Sequence, residues 1–296
     1  MKINVIIPCA PNTIIYAKNS LNEQGILDKE IISIYGKNTS RNRNIGVEKS
    51  DAELVAFTNA HSFFDRNWKK NVLSFFKKYS DIDIVGGPQF TSKNEGLFER
   101  ASGIAFSSAF GAANVRDRYT SSKTEFDVDE TKVTSANLIC KKSVFERIGF
   151  DETIYPGEDP KFISDAKKAK MRVAYSGDIV TYNKRRSSFL ELFKQIFTYG
   201  EVRPQKESFI ETLKKPFFLV PSLFVVGIIV FFILSIFNSP LWLIPLDLYL
   251  ILGLFFSSIE SIKNKNLSYF FILPWIFLTI HVGYGLGMIW GYLKKI

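Results

Sequence analysis

Two short stretches of this chain carry side chains at spacings that can do chemistry. "FTNAHS" (57–62) follows the apolar run "AELVAF" and presents an amide at Asn59 and an imidazole at His61, one residue apart. Such a pair at the mouth of a strand can meet a phosphate group or a divalent cation. His61 could equally cap the strand end with no metal involved. Mg²⁺ strongly prefers oxygen ligands whereas Mn²⁺ and later metals accept imidazole, so a metal here should be Mn²⁺ at least as readily as Mg²⁺. "GEDPKF" (157–162) places Glu158 and Asp159 side by side at a helix start. A carboxylate so placed can act as a general base; the same two charges would also complement the helix dipole.

Arg41, Arg43 and Asn44 precede Gly46 in a loop-to-helix segment suited to phosphate or ribose contacts, and a solvated basic helix is the plainer reading. Arg185 and Arg186 fit lipid phosphates or a diphosphate. In "SSFLELFKQIFTYG" Phe189, Leu192, Phe193, Ile196 and Phe197 share one helical face, away from Glu191 and Lys194. That pattern reads as an interfacial helix.

Elements that could hold these residues in place recur along the first two thirds of the chain. Short apolar runs, "INVIIP", "EIISIY", "AELVAF", "DIDIVGG", "VTSANLIC" and "RVAYS", are separated by helix-like stretches such as "NWKKNVLSFFKKY". The alternation predicts an α/β layer with a mostly parallel sheet. Ligands of such sheets bind beyond the carboxyl ends of strands, which points to "CAPN", "GKNTSRNRN", "TNAHS" and "GGPQ".

Charge divides the chain in two. From residue 216 onward Lys263, Lys265, Lys294 and Lys295 stand against Asp247 and Glu260, so +7 of the total +9 belongs to the first 215 residues. A basic domain on an apolar tail suits an anionic lipid surface or a phosphate-rich ligand. No basic run interleaved with aromatics occurs outside the membrane-flanking segment, so nucleic acid is not an expected partner. Cys9 and Cys140 are too few for a disulfide framework and read as buried thiols. The first apolar run breaks at Pro8, far short of a signal-peptide core, so the domain is expected to face the cytosol.

Segments 216–237 and 240–258 are each about the ~20 residues a bilayer requires, and "NS" alone separates them, which predicts a helical hairpin. A third, 267–293, could span with tilt or a kink at Pro274. Lys206, Lys214 and Lys215 place the entry on the cytosolic side, as Lys263 and Lys265 do for the second short loop. Three spans would then put Lys294 and Lys295 outside, against the positive-inside tendency, so one segment is expected to be re-entrant or interfacial. Asp247 fits either contact with a lipid-linked molecule or a span end shifted to the interface. "GYGLG" lies inside an apolar span and follows no strand, which excludes a dinucleotide fingerprint. Gly283, Gly287 and Gly291 recur every fourth residue and predict close helix packing, with His281 as a hydrogen-bonded packing residue.

"SRNRNIGVEKSDAELVAFTNAHSFFDRNW" resembles the N-terminal half of the family 2, GT-A-type inverting glycosyltransferases. "VGGPQFTSKNEGLFERASGIAFSSAFG", "FDVDETKVTSANLICKKSVFERIGFDE", "GEDPKF" and "YNKRRSSFLELFKQIFTYGEVR" extend the likeness toward the subgroup of succinoglycan and related surface-polysaccharide synthesis, with a membrane tail. The resemblance implies a GT-A, Rossmann-like domain over 1–186, an amphipathic interfacial linker over 187–215 and a membrane region over 216–296 with two to three spans near 217–237, 240–258 and 268–292. It implies a hexosyltransferase of the cell envelope, a multi-pass membrane protein with its catalytic domain in the cytoplasm. Its donor would be a nucleotide sugar, guessed as a UDP-sugar, and its acceptor a lipid-linked saccharide. Asp159, with Glu158 beside it, maps to the base; Pro8, Arg41, Asn44, Asn59 and His61 map to the donor side; Gln195, Tyr199 and Arg203 map to the acceptor or diphosphate side. His61 stands where the family holds a divalent cation, Mn²⁺ or Mg²⁺. Asn59 replaces the family's first carboxylate, and no carboxylate occurs between Glu30 and Glu48, where the nucleobase contact is usual. Two rivals remain: a polyprenyl-phosphate sugar synthase, whose phosphate acceptor needs less help from a base, and an inactive GT-A scaffold, which Asn59 favours and "GED" opposes.

Overall fold

The strand and helix patterns recur in the computed structural model, which describes all residues except 155, 156, 207, 208 and 296 and leaves the side chain of 206 aside. The chain forms two compact units, residues 1–92 with 117–184, and residues 93–116 with 185–296.

Among its described residues the first unit holds ten strands: β1 (Ile3–Cys9), β2 (Ile31–Tyr35), β3 (Leu54–Thr58), β4 (Ser62–Phe64), β5 (Ile84–Gly86), β6 (Gln89–Thr91), β7 (Glu125–Phe126), β8 (Asn137–Lys141), β9 (Val173–Tyr175) and β10 (Thr181–Asn183). Seven of them form one sheet in the order β2-β1-β3-β8-β5-β9-β7. Strands β1, β2 and β3 run parallel, as do β5 and β9, while β8 lies antiparallel between β3 and β5. The sheet is thus mixed and mostly parallel, as a GT-A-like α/β fold requires. Burial on both faces explains why β1 and β3 read as continuous apolar runs. A small second sheet pairs β4, β10 and β6. It rests on a buried polar chain in which Ser62 Oγ donates to Asn183 Oδ1 (2.6 Å) and Asn183 Nδ2 donates to Gln89 Oε1 (2.9 Å).

Helices α1 (Ala17–Asn22), α2 (Thr39–Lys49), α3 (Trp68–Lys78) and, later in the chain, α6 (Glu158–Lys168) cover this sheet. In α3, Trp68, Val72, Phe75 and Phe76 fall on one face at helical spacing and are buried.

In the second unit, α4 (Leu97–Ser107) and α5 (Ala109–Ala112) join α7 (Phe189–Glu201), α8 (Arg203–Lys206), α9 (Phe209–Leu213), α10 (Val220–Phe237), α11 (Ile244–Lys263) and α12 (Ser268–Leu293). Segments 220–237, 240–263 and 268–293 are long and apolar enough to cross a membrane. Asp247 lies in the first turn of α11, where a carboxylate complements the dipole. Pro274 lies inside α12, which runs on through it. The amphipathic helix appears as α7, with Leu192 and Ile196 buried. The glycine spacing has its explanation here. A Cβ at Gly287 or Gly291 would collide with the carbonyls of Phe197 and Glu201, so α12 can meet α7 backbone to backbone only without side chains there. His281 bonds to Tyr249 and to the Phe110 carbonyl, both at 2.8 Å, as a packing residue should.

Candidate active site

The loops following β1 and β2 are tied together by one side chain the sequence did not single out. Asn42, buried in α2, donates from Nδ2 to Gly36 O (3.0 Å) and to Cys9 O (3.4 Å). Its neighbours divide their labour. Asn38 caps α2 by accepting from Arg41 N (3.0 Å) and donates to Glu152 O (2.8 Å). Asn44 exchanges bonds with the Phe150 backbone, Nδ2 to O at 2.9 Å and N to Oδ1 at 3.0 Å, and also reaches Glu152 Oε1 (3.0 Å). Its amide therefore holds the 150–152 loop. Arg41 stays exposed on the first turn. Pro8 lies within β1, opposite Ile34.

Arg43 and Glu158 stand 115 positions apart in sequence and meet at 2.5 Å, with both side chains buried. The Arg43 guanidinium also lies 5.1 Å above the Phe150 ring. Glu158 Oε2 accepts from Gly157 N (2.8 Å), so its carboxylate is occupied within the fold. Gly157 has φ +117, a left-handed conformation that glycine adopts without strain, and it turns the chain into α6. Beneath, Phe162 of α6 stacks on Phe150 at 4.4 Å, and Phe150 meets Phe57 of β3 edge-on at 5.0 Å. Each such ring contributes about 1.5–3 kcal/mol by burial. Together the ion pair and the ring stack fix the first turn of α6 relative to β3.

Asp159 is the carboxylate left partly open. It is half-buried, and among the described residues Oδ2 accepts from Ser135 N at 3.3 Å. Next along, Thr58 Oγ1 at the end of β3 donates to Ala136 O (3.2 Å), so the 135–136 segment connects Asp159 with the mouth of β3. Just beyond, Asn59 and His61 are exposed, while Ala60 O between them accepts from Tyr16 N (2.9 Å) and Ala17 N (3.2 Å). The His61 ring lies 5.8 Å from the Tyr16 ring.

Asn59 and His61 supply one amide oxygen and one imidazole nitrogen from a single loop. Among the described residues no three His, Cys, Asp or Glu side chains meet at a metal-binding spacing. Two such donors fit a divalent cation only where phosphate oxygens complete a shell of about six ligands.

Residues 17–149 match the model of glycosyl transferase family 2. Over these residues, somewhat under half of its length, the chain is similar to family 2 glycosyl transferases. The match runs from α1 to the loop before Phe150 and so includes Asn59 and His61, whereas Glu158 and Asp159 lie beyond its end. No curated protein matches the sequence at a significant level. Among solved structures, S. aureus TarS 1–349 in complex with UDP-GlcNAc shares 14% identity over 100% of this chain and 92% of that one, with TM-score 0.49. The same protein with UDP gives 14% identity, the same coverage and 0.46. A further TarS structure is covered over 40% of its length. A mycobacterial protein gives 9% identity, coverage of 69% and 74%, and 0.44. Likenesses this distant transfer neither a ligand nor a residue role.

In the second unit, Gln195 Nε2 donates to Tyr199 OH (3.1 Å) on the outer side of α7. Arg203 is buried with its guanidinium 3.5 Å above the Phe218 ring. The fold thus pairs Gln195 with Tyr199 and sends Arg203 toward the segment that leads into α10.

Proposed function

We propose that this protein is a membrane-anchored inverting glycosyltransferase that moves a sugar from a nucleotide-sugar donor, a UDP-sugar, to a lipid-linked or polysaccharide acceptor of the cell envelope. In this reading residues 1–186 are the cytoplasmic catalytic domain, 187–215 the interfacial linker and 216–296 the membrane region. The observation that carries the reading is the contrast between two adjacent carboxylates. Glu158 is buried against Arg43, and Asp159 is half-open beside the mouth of β3. The first holds the helix; the second can take a proton.

The acceptor hydroxyl oxygen attacks the anomeric carbon as the bond from that carbon to the donor diphosphate breaks. The acceptor proton passes to the Asp159 carboxylate, and the diphosphate leaves with the bonding electrons. Holding both reactants in line supplies much of the rate. The N-terminus of α2, with exposed Arg41, and the 59–61 loop are the donor side. His61 and Asn59 would hold a divalent cation, Mn²⁺ or Mg²⁺, which when bound neutralises charge on the leaving diphosphate. Gln195 and Tyr199 serve the acceptor side.

Asp159→Asn keeps shape and hydrogen bonding but removes the base. It should abolish transfer while donor binding survives. Retained turnover would remove Asp159 from the chemistry and turn the reading toward a phosphate acceptor.

A further inference from the structure

The three apolar helices present a parity problem that contacts within the second unit resolve. The end of α12 lies against the segment that leads into α10. Lys294 Nζ pairs with Glu201 Oε1 (2.6 Å), Lys295 Nζ donates to Pro204 O (2.6 Å) and Tyr292 OH donates to Thr212 Oγ1 (3.3 Å). The start of α10 also lies toward this end, since Ser222 Oγ donates to Gly285 O (3.3 Å) and the Pro221 carbonyl fills the place of a Gly285 Cβ. Gly285 precedes Leu293 by eight residues, about 12 Å of helix at ~1.5 Å per residue. A hydrocarbon core of about 30 Å does not fit between two points so near. The chain therefore enters and leaves the apolar region on one side, and three complete crossings are excluded.

Charge and burial decide which helix fails to cross. Lys214, Lys215, Lys263, Lys265, Lys294 and Lys295 fall on one side if α10 and α11 form the crossing pair, and the 238–243 turn "NSPLWL" between them carries no charge. With α11 and α12 as the pair, Lys263 and Lys265 would be exported, against the positive-inside tendency. Rings also pair along the hairpin: Phe224 packs on Tyr249 at 4.2 Å and Phe231 stacks on Trp242 at 6.2 Å, as in two antiparallel helices. Near the tip of α10, Ile236 and Phe237 are 63% and 83% exposed, a surface for lipid to cover. In α12, by contrast, Leu273, Ile276, Phe277 and Met288 are fully buried, and α7 covers its glycine face. Its large exposed residues, Phe271, Trp275, Leu286, Trp290 and Leu293, make one narrow stripe rich in aromatics, which is the pattern of a helix lying at an interface.

We infer that α10 and α11 are the sole membrane-crossing hairpin, and that α12, although long and apolar enough to span, lies on the cytosolic face with its stripe against lipid. The inference rests on the membrane-anchored reading above. Cysteine-accessibility labelling of the full chain in native membranes tests it, using the neutral replacements Asn238→Cys, Ser268→Cys and Leu293→Cys. The buried Cys9 and Cys140 of the parent chain set the background. A membrane-impermeant maleimide is applied to intact cells and, separately, to inverted vesicles. The expected result is that Asn238→Cys labels from outside and the other two do not. Any other pattern overturns the inference: Ser268→Cys labelled from outside in place of Asn238→Cys makes α11 and α12 the crossing pair, Leu293→Cys labelled from outside together with Asn238→Cys restores three spans, and no site labelled from outside leaves no crossing. Failure of membrane anchoring itself is read separately, as release of the parent chain by alkaline carbonate.

Discussion

Glu158→Gln changes one atom, and the geometry says it should cost more than a surface substitution several times its size. The Glu158 carboxylate meets Arg43 at 2.5 Å with side-chain exposures of 6% and 4%. Removing the charge leaves the guanidinium buried, and Arg43 Nε already has no hydrogen-bond partner among the described residues. Uncompensated charges of this kind cost about 3–5 kcal/mol. For a domain of this size about 2–4 °C is lost per kcal/mol, so the unfolding midpoint of Glu158→Gln should fall by about 6–20 °C. The assay is thermal unfolding of the detergent-purified chain, followed by near-UV circular dichroism. Two controls bracket it. Lys2 and Asp51 pair at the same 2.5 Å but are 42% and 74% exposed, so Asp51→Asn should leave the midpoint where it was. The double replacement Arg43→Met with Glu158→Leu removes both charges and should recover most of the loss. A Glu158→Gln midpoint within 2 °C of the parent, or a double variant no better than the single, would refute the argument that this pair anchors α6.

Other consequences are as direct. Donor binding measured with and without Mn²⁺ should lose its metal response in His61→Ala; an identical response in variant and parent removes His61 from the site. Gly287→Val drives a side chain into the Phe197 carbonyl and should cost about 1–3 kcal/mol, whereas an added Cβ at Gly227 meets only the Phe231 ring at 3.4 Å and Gly227→Ala should be neutral or stabilising in the same thermal assay. The Thr153 hydroxyl and N–H, at 2.6 and 2.9 Å, hold the Asp151 carboxyl below its usual range. A depressed carboxyl contributes stability above its unfolded pKa and loses it as pH falls through the folded one. The stability gap between parent and Thr153→Ala at pH 7 should therefore close as pH falls below about 4, and a gap unchanged at pH 3 would contradict the assignment.

Apolar runs of five to seven residues made β1, β2, β3 and β8 legible, and α7 announced itself through one apolar face. Strands β4, β6 and β10 have three residues each, too few for any alternation to register, and the buried Ser62–Asn183–Gln89 chain that organises them joins distant positions. The site was readable where chemistry is local, as in the adjacent Glu158 and Asp159. Which of the two is occupied was not readable, because the answer lies in Arg43, 115 residues away. Asn42 escaped notice for a related reason: an amide in "SRNRN" looks like a surface residue until Cys9 O and Gly36 O are seen beside it. The glycine repeat correctly foretold a close approach, and the partner proved to be α7. Nothing in "GLFERASGIAF" betrays that α4 belongs in one unit with α7 to α12, since that pairing exists only in three dimensions.

Sugar transfer with Asp159 as base is open to a single assay. The purified protein is incubated with a panel of labelled nucleotide sugars, Mn²⁺ and a membrane lipid extract, beside the Asp159→Asn variant, and both donor hydrolysis and label in the lipid fraction are counted. The prediction is a labelled lipid product from at least one donor with the parent chain and none with the variant. Absence of transfer from every donor, or equal transfer by both proteins, would contradict it.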